Sequence, residues 1–195
     1  MDLQPVQLVG KRAKLVPMEV AHIQALYQAG TNPDIWLYLP MTVVTIDDMR
    51  DVVHTFLEAQ EKGLALPFTI IDQESNQVVG STRFHNISHE NWSVEIGKTW
   101  LSPSVWGTHL NTECKYLLLC HCFETLHTIR VQLKADIRNI RSQRAIERIG
   151  ATREGVLRQH WIMPDGHKRD SVYYSILLEE WPERKKRLEQ MLYSA

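Results

Sequence analysis

The order of strand-like and helix-like segments along this 195-residue chain limits its possible folds more than any other feature. Alternating and β-branched runs predict strands, and apolar residues at helical spacing predict helices. The predicted strands are residues 13–17, 67–72, 77–85, 91–101, 129–135, 156–162 and 171–177, and the predicted helices are residues 19–28, 46–62, 116–126 and 140–149. The resulting order, β α α β β β α β α β β, predicts a mixed α/β fold.

Nothing in the sequence divides the chain into separate units. It contains no internal repeat, low-complexity tract or long linker rich in Pro, Gly or Ser. We therefore expect residues 1–195 to form a single domain, which suits a length within the usual range of about 100 to 200 residues. The best marked boundaries belong to the second helix, where Thr45 is a suitable N-cap and Gly63 a suitable stop.

The charge balance and the cysteines limit the partners and the compartment. Lys and Arg total 22 against 23 Asp and Glu, so the chain has no basic excess for nucleic acid or an anionic membrane. No window approaches the ~18 consecutive apolar residues of a membrane span, and residues 1–15 do not resemble a secretion signal. Cys114, Cys120 and Cys122 lie within one apolar stretch, which is not typical of a disulfide framework. These features predict a cytoplasmic protein that binds neither nucleic acid nor membrane directly.

Residues 100–114, with the sequence WLSPSVWGTHLNTEC, combine a strand end, a loop containing Gly107 and a helix start near Thr112. The first amide groups of a helix lack intrahelical partners and lie at the positive end of the helix dipole. Such a joint can bind a pyrophosphate. The alternative is that Gly107 serves only the turn.

Residues 136–151 form a second joint of this kind, in which Asn139 is a suitable N-cap. One face of the helix holds Ser142, Ala145, Ile146 and Ile149. The Ser142 hydroxyl could therefore point inward and protonate a leaving group, or it could bond to the local backbone. Arg141, Arg144 and Arg148 lie on another side, which is either a solvated basic face or a contact for a ligand phosphate.

Four blocks in this order resemble the GNAT superfamily of N-acetyltransferases, and more closely the branch that includes RimJ and RimL. They are EIGKTWL (residues 95–101), WGTHLNTE (106–113), NIRSQRAIERIGA (139–151) and EGVLR (154–158), and the likeness runs over nearly the whole chain. The resemblance implies a central, mostly antiparallel sheet flanked by helices. It also implies that the sheet is splayed between its fourth and fifth strands, here residues 93–101 and 129–135.

The resemblance further implies acetyl-CoA as co-substrate, with its pantetheine arm in the splay. Backbone groups near Trp100 and Leu101 would then hold the thioester, and Asn139 would lie near the acetyl end. Ser142 matches a position proposed as general acid for the departing thiolate. The implied pyrophosphate site consists of Trp106, Gly107, Thr108, His109, Leu110, Asn111 and Thr112.

Three positions depart from the family pattern. Ser104 replaces the Gln or Arg that opens the phosphate-loop motif, and His109 stands where a second small residue belongs. The imidazole could crowd the phosphates or donate a hydrogen bond to them. The glutamate thought to act as base in RimL-like enzymes falls on Trp161, so that role cannot be transferred.

The base that would deprotonate the amine must come from elsewhere in the chain. Glu95 is the first candidate, because it lies on the strand beside the expected thioester. The alternative is that Glu95 is an ordinary strand carboxylate that faces solvent or an arginine. His160, next to Trp161, is a second candidate on the acceptor side. Trp36 lies in a segment, DIWLYLP, that resembles the acceptor wall of this branch, although core packing is an equal alternative.

These features predict an acetyl-CoA dependent N-acetyltransferase that acts by direct attack of a primary amine, on a protein N-terminus or a small molecule. No cysteine lies near the expected thioester, so an acyl-enzyme is not expected. The alternative is a non-catalytic acyl-CoA sensor or docking module with the same fold. No metal is expected, since the thiols of C-x-C on a helix point about 200° apart. Relatives are commonly homodimers, and the charged C-terminal segment is expected to be a solvated helix or a subunit contact.

Overall fold

The computed structural model describes residue 1 and residues 3–193. Its centre is an eight-stranded sheet with the spatial order β1-β2-β3-β4-β5-β6-β8-β7. The strands are β1 (Leu8–Val9), β2 (Ala13–Pro17), β3 (Ala65–Asp72), β4 (Gln77–Ser88), β5 (Ser93–Leu101), β6 (Arg130–Asp136), β7 (Thr152–Ile162) and β8 (Lys168–Leu177). Neighbouring strands are antiparallel except β5 and β6, which are parallel. The predicted mixed, mostly antiparallel fold is confirmed, with the short β1 as an addition.

Helices cover both faces of the sheet. They are α1 (Ile23–Ala29), α2 (Ile46–Glu61), α3 (Leu110–Cys120), α4 (Ile140–Arg148) and α5 (Trp181–Tyr193). Buried apolar side chains form two clusters, one containing residues of α1 and α2 and the other containing residues of α3, α4 and α5. Among the described residues, no helix is both long and apolar enough to cross a membrane.

The predicted helix boundaries are confirmed where a cap marks them. Thr45 accepts a hydrogen bond from the Asp48 amide, and the Asp48 carboxylate accepts one from the Thr45 amide in return. Asn139 caps α4 in the same way by accepting from the Ser142 amide. Gly63 and Gly150 follow α2 and α4 with φ values of +68° and +89°, which glycine adopts at little cost.

The boundaries of α3 were predicted wrongly. The predicted range was 116–126, with a start near Thr112, whereas the helix begins at Leu110 and ends at Cys120, where a π-helical turn (His121–Thr125) follows. The first turns were missed because they are rich in polar residues, yet Glu113 and Lys115 are buried there. Tertiary contacts therefore override the local pattern.

The C-terminal segment forms a helix as predicted, but that helix is not simply solvated. Trp181 and Leu188 are buried on one face of α5 because residues seven apart lie on the same side of a helix. The Trp181 ring stacks on Phe123 at a centroid distance of 5.2 Å, and its Nε1 donates to Glu124. This face of α5 is therefore used inside the chain.

Candidate active site

The main cleft lies where β5 and β6 diverge. The two strands are paired only from Ser93 to Glu95 on β5 and from Arg130 to Gln132 on β6. Beyond that point the strands separate, and residues 96–101 and 133–136 line a cavity of about 460 Å³. This is the splay that the resemblance implied. Backbone groups on these facing edges are not paired with each other, so an extended ligand with amide groups could bond to both strands.

The loop between β5 and α3 gives this cleft a polar end. Gly107 has a φ of +75°, and a Cβ added there would meet nothing within 4 Å, so the space beside its backbone is open. Thr108 holds the loop by donating its hydroxyl to the Val105 carbonyl and accepting from the Leu110 amide. Asn111 and Thr112 line the cleft from the first turn of α3. The arrangement is suited to an anionic group.

Arginines of α4 lie beside this polar end. The Arg141 guanidinium stacks over the Trp106 ring at 3.6 Å, and the Trp106 Nε1 donates to the Leu101 carbonyl at 2.8 Å. Arg141 and Arg148 line the cleft, whereas the exposed Arg144 does not. Two members of the basic row therefore face the place where a phosphate could bind, and the third faces solvent.

The N-terminus of α4 reaches the cleft from the same side. Asn139 and Ser142 both line it, and the Ser142 amide donates to the Asn139 Oδ1 at 3.0 Å. The half-buried Ser142 hydroxyl makes no hydrogen bond to any of the described residues. It is therefore available to a ligand in the cleft.

Glu95 occupies the point at which the strands separate, and its side chain is only 1% exposed. Its Oε2 accepts from Gln132 at 2.8 Å and from Asn86 at 2.9 Å, and its Oε1 lies 3.0 Å from the Lys134 Nζ. The buried His85 on β4 is directly opposite, with its Nε2 at 3.3 Å from the Glu95 Oε1. Glu95 thus faces neither solvent nor an arginine, and it lines the cleft as the centre of a buried polar network.

The two groups of this pair have shifted pKa values. Burial alone would raise the pKa of Glu95, but the adjacent His85, the charge of Lys134 and hydrogen bonds from Lys134 and Asn86 lower it below its usual value. Burial lowers the pKa of His85 to about 4, and the nearby Arg83 and Lys134 add to this effect against the opposing charge of Glu95. Near neutral pH the site therefore contains a carboxylate beside a neutral imidazole.

The neutral His85 beside an ionised Glu95 predicts that the protein loses stability on acidification. Between the ordinary pKa of 6.5 and the folded value of about 4, the unfolded chain binds more protons at His85, so the free energy of unfolding falls as pH decreases through that window. The lowered pKa of Glu95 acts in the same direction. We expect the unfolding midpoint of His85→Gln to fall less between about pH 7 and about pH 5 than that of the parent. His54→Gln, on the exposed face of α2, is the control, and an equal loss in His85→Gln and the parent would contradict the prediction.

The remaining predicted site residues are not all in the cleft wall. Trp100, Leu101, Trp106, Gly107, Thr108, Asn111 and Thr112 line it. The His109 side chain is exposed and does not line the cleft, so it points away from the polar end, and Leu110 is buried in the core.

The two acceptor-side candidates, Trp36 and His160, lie behind the wall. Trp36 is buried beneath Trp100, with ring centroids 5.0 Å apart and its Nε1 bonded to the Gly30 carbonyl. The His160 ring contacts Ser171 at 3.1 Å and packs edge-on against its neighbour Trp161, which does line the cleft. Each of them supports a residue of the wall.

Several cleft residues were missed in the sequence. Arg83, Lys98, Tyr38 and Arg169 all line the cleft. The Arg169 guanidinium lies 3.5 Å from the Tyr38 carbonyl and so connects β8 to the loop between α1 and α2. Strand alternation could have placed Arg83 on the face of His85, but the pairing of β4 with β5 was needed to place both residues at the cleft.

The cysteines are not part of the cleft. All three are free, and burial raises the pKa of Cys114 to about 12 and the pKa of Cys122 well above its usual value. Within residues 1 and 3–193, no group of three or more His, Cys, Asp or Glu side chains is arranged to hold a metal ion. Sulfur chemistry on the protein is therefore not favoured.

Comparison with known proteins assigns this fold and cleft to the acetyltransferases. Over residues 12–152 the chain matches the family described as "Acetyltransferase (GNAT) domain". The chain belongs to the GNAT family, and it is an N-acetyltransferase.

Individual relatives support the resemblance to the RimJ/RimL-like branch. YdaF of Bacillus subtilis (strain 168), named as a candidate ribosomal N-acetyltransferase, is 34% identical over 153 residues, which are 75% of this chain and 78% of YdaF. A solved structure from T. thermophilus, named as a candidate acetyltransferase, is 38% identical with a TM-score of 0.90 and covers 99% of this chain and 100% of its own. Mycobacterium smegmatis RimJ in complex with CoA-disulfide shares the fold, with a TM-score of 0.84, 23% identity and coverage of 96% and 95%.

Proposed function

We propose that the chain transfers acetyl from acetyl-CoA to a primary amine by direct attack, as a single domain and without an acyl-enzyme intermediate. The observation that carries this proposal is the cleft between β5 and β6, which has a helix N-terminus with nearby arginines at one end and a buried carboxylate at the other. The relative solved with CoA-disulfide, RimJ, has the same fold.

The residues of the cleft fit acetyl-CoA. The open backbone at Gly107 and the first turn of α3 suit a pyrophosphate, with Arg141 and Arg148 as nearby cations. The unpaired strand edges near Trp100 and Leu101 suit the amide groups of a pantetheine arm. When bound, acetyl-CoA supplies the acetyl group as an activated thioester.

The chain would contribute positioning and proton transfer. Glu95 would accept the proton of the amine, directly or through water, and Ser142 would donate a proton to the thiolate from the other side of the cleft. Asn139 would orient the acetyl end with the amide nitrogen that its capping bond leaves unused. Trp36 and His160 would hold the acceptor wall in place through Trp100 and Trp161.

Direct attack is supported by the position of the cysteines. None of the three lines the cleft, and burial raises the pKa of each thiol, so no thiolate is available to form an acyl-enzyme. The free cysteines also suit the cytoplasmic location that the sequence predicts. The acceptor remains a protein N-terminus or a small-molecule amine, and YdaF, by its name, belongs with the ribosomal enzymes.

Thermal unfolding with and without acetyl-CoA tests the proposal first. A ligand at 100 times its Kd adds about 2.7 kcal/mol to the free energy of unfolding, which for a chain of this size raises the midpoint by roughly 5 to 10 °C. We expect this rise with acetyl-CoA and a smaller one with dephospho-CoA. Thiol release that depends on an added amine separates an enzyme from a sensor. No shift at millimolar acetyl-CoA would contradict the proposal.

A further inference from the structure

Two cations that line the cleft have no ion-pair partner among the described residues. Arg83 on β4 is only 8% exposed, and its guanidinium makes no hydrogen bond or ion pair with any described residue. Its contact is with the Phe56 ring of α2, at 4.1 Å. The half-buried Lys98 ammonium lies 6.0 Å from the same ring and is also without an ion pair among the described residues. An unpaired buried cation is costly, so such a pair is expected to serve a ligand.

The nearest carboxylate, Glu95, is bonded to Asn86, Gln132 and Lys134, so its charge partly offsets these cations without forming an ion pair with either. The pKa values of Arg83 and Lys98 are both lowered. Burial lowers the pKa of Arg83 to about 10 and the pKa of Lys98 to about 8, and the charge of Arg83 contributes to the shift at Lys98. Both cations are therefore incompletely compensated where they are buried.

The strand pairing places Arg83 close to the pair of Glu95 and His85. Arg83 and His85 are two residues apart on one strand, so their side chains share a face at about 7 Å. Arg83 is opposite Gly97 on β5, where a Cβ would lie 2.5 Å from the His85 Nε2. The His85 ring therefore fills the space beside Gly97, next to Glu95. Arg83, Lys98 and Glu95 all line the same cleft, so an acceptor bound there with two polar groups could contact both the carboxylate and the guanidinium.

We infer that the acceptor is an amine that carries a carboxylate close to its nitrogen, with the amine next to Glu95 and the carboxylate bound by Arg83 and Lys98. This inference rests on the proposed function and names the substrate class of that site. Two sources provide this chemistry: the α-carboxylate of a free amino acid, and an acidic side chain near the N-terminus of a peptide. A neutral or polycationic amine would leave both cations unpaired.

Matched acceptors test the inference. Each free amino acid is assayed against its carboxamide, and peptides that begin Ala-Asp are assayed against peptides that begin Ala-Asn. We expect the carboxylate member of the productive pair to have a kcat/KM at least about tenfold higher than its neutral partner, because charge-assisted hydrogen bonds are roughly twice as strong as neutral ones. The pair that is acetylated shows whether the carboxylate belongs to a free amino acid or to a side chain near a peptide N-terminus. Equal rates within every pair, or faster neutral members, would overturn the inference.

Substitution of Arg83 tests the assigned residue. Arg83→Met keeps an unbranched apolar chain over Phe56, and we expect it to raise the KM of the carboxylate acceptor at least about tenfold with little change for the neutral partner. Arg50→Met, on the exposed face of α2, is the matched control. The unfolding midpoint of Arg83→Met without ligand should not fall, since an unpaired buried cation is removed. An unchanged preference in Arg83→Met would overturn the assignment.

A failure of this inference differs from a failure of the proposed function. If acetyl-CoA stabilises the protein and neutral amines are acetylated as well as carboxylate amines, the acetyltransferase proposal stands and the carboxylate inference fails. If acetyl-CoA neither stabilises the protein nor releases thiol with any amine, both fail.

Discussion

Replacing Glu95 with Gln is expected to lower kcat/KM for the amine acceptor by roughly a hundredfold or more and to leave the affinity for acetyl-CoA unchanged. Glu95 is an ionised carboxylate at the point where the strands separate, and a neutral amide can neither accept the amine proton nor stabilise an ammonium. Among the described cleft residues, Asp136 is bound to Arg138 at 2.8 Å and Asp34 is exposed, so neither duplicates Glu95.

The pH dependence separates a base from a merely structural carboxylate. If Glu95 accepts the proton, the acidic limb of the kcat/KM profile should disappear in Glu95→Gln. Because the substitution also removes the partner of Lys134, the unfolding midpoint must be measured in parallel. Glu90→Gln, in an exposed turn, is the matched control. A rate and pH profile equal to those of the parent would remove Glu95 from the mechanism.

The parts of the site that depend on local structure could be predicted from sequence. The proposed phosphate loop at Gly107 and the cap at Asn139 lie at helix starts, where backbone geometry alone determines which groups are free. The position of Glu95 at the splay followed from the strand motif at residues 95–101. These features need only a few consecutive residues, so a motif contains nearly all of the relevant information.

The part of the cleft around Arg83 could not be predicted in this way, because it is assembled from distant elements. Arg83 and His85 lie in a strand with ordinary alternation, and only the pairing of β4 with β5 brings them to Glu95. Tyr38 reaches the cleft from the loop before α2, 131 residues from its partner Arg169. Trp161 lines the cleft at the position where the resemblance implied a glutamate, and it supplies an aromatic surface rather than a carboxylate.

Glu113 carried no expected role in the sequence beyond its place in a motif, yet its side chain makes four hydrogen bonds, more than any other described residue of α3. Its carboxylate accepts from the backbone amides of Lys11, Arg12 and Ala13 and from the Tyr193 hydroxyl, at 2.6 to 2.9 Å. It therefore joins α3 to the turn between β1 and β2 and to the end of α5. A Cβ at Gly10 would lie 2.7 Å from this carboxylate, so the turn fits closely around it.

Replacing Glu113 with Ala is expected to lower the free energy of unfolding by about 3 kcal/mol or more, because three backbone amides lose a charged acceptor in a largely buried site. For a chain of this size that corresponds to a fall of roughly 6 to 12 °C in the unfolding midpoint. Tyr193→Phe removes only one of the four hydrogen bonds and should cost about 1 kcal/mol. Glu58→Ala, on the exposed face of α2, is the control and should stay within about 0.5 kcal/mol of the parent.

Glu113→Ala is also expected to affect ligand binding in the cleft. Glu113 lies in the first turn of α3, next to Asn111 and Thr112, so its loss should also loosen the helix start that the proposed pyrophosphate site uses. We therefore expect Glu113→Ala to weaken stabilisation by acetyl-CoA, whereas Tyr193→Phe should largely retain it. A midpoint for Glu113→Ala no lower than that of Glu58→Ala would contradict the structural role. Undiminished stabilisation by acetyl-CoA in an otherwise destabilised variant would show that the phosphate loop is held by its own bonds at Thr108.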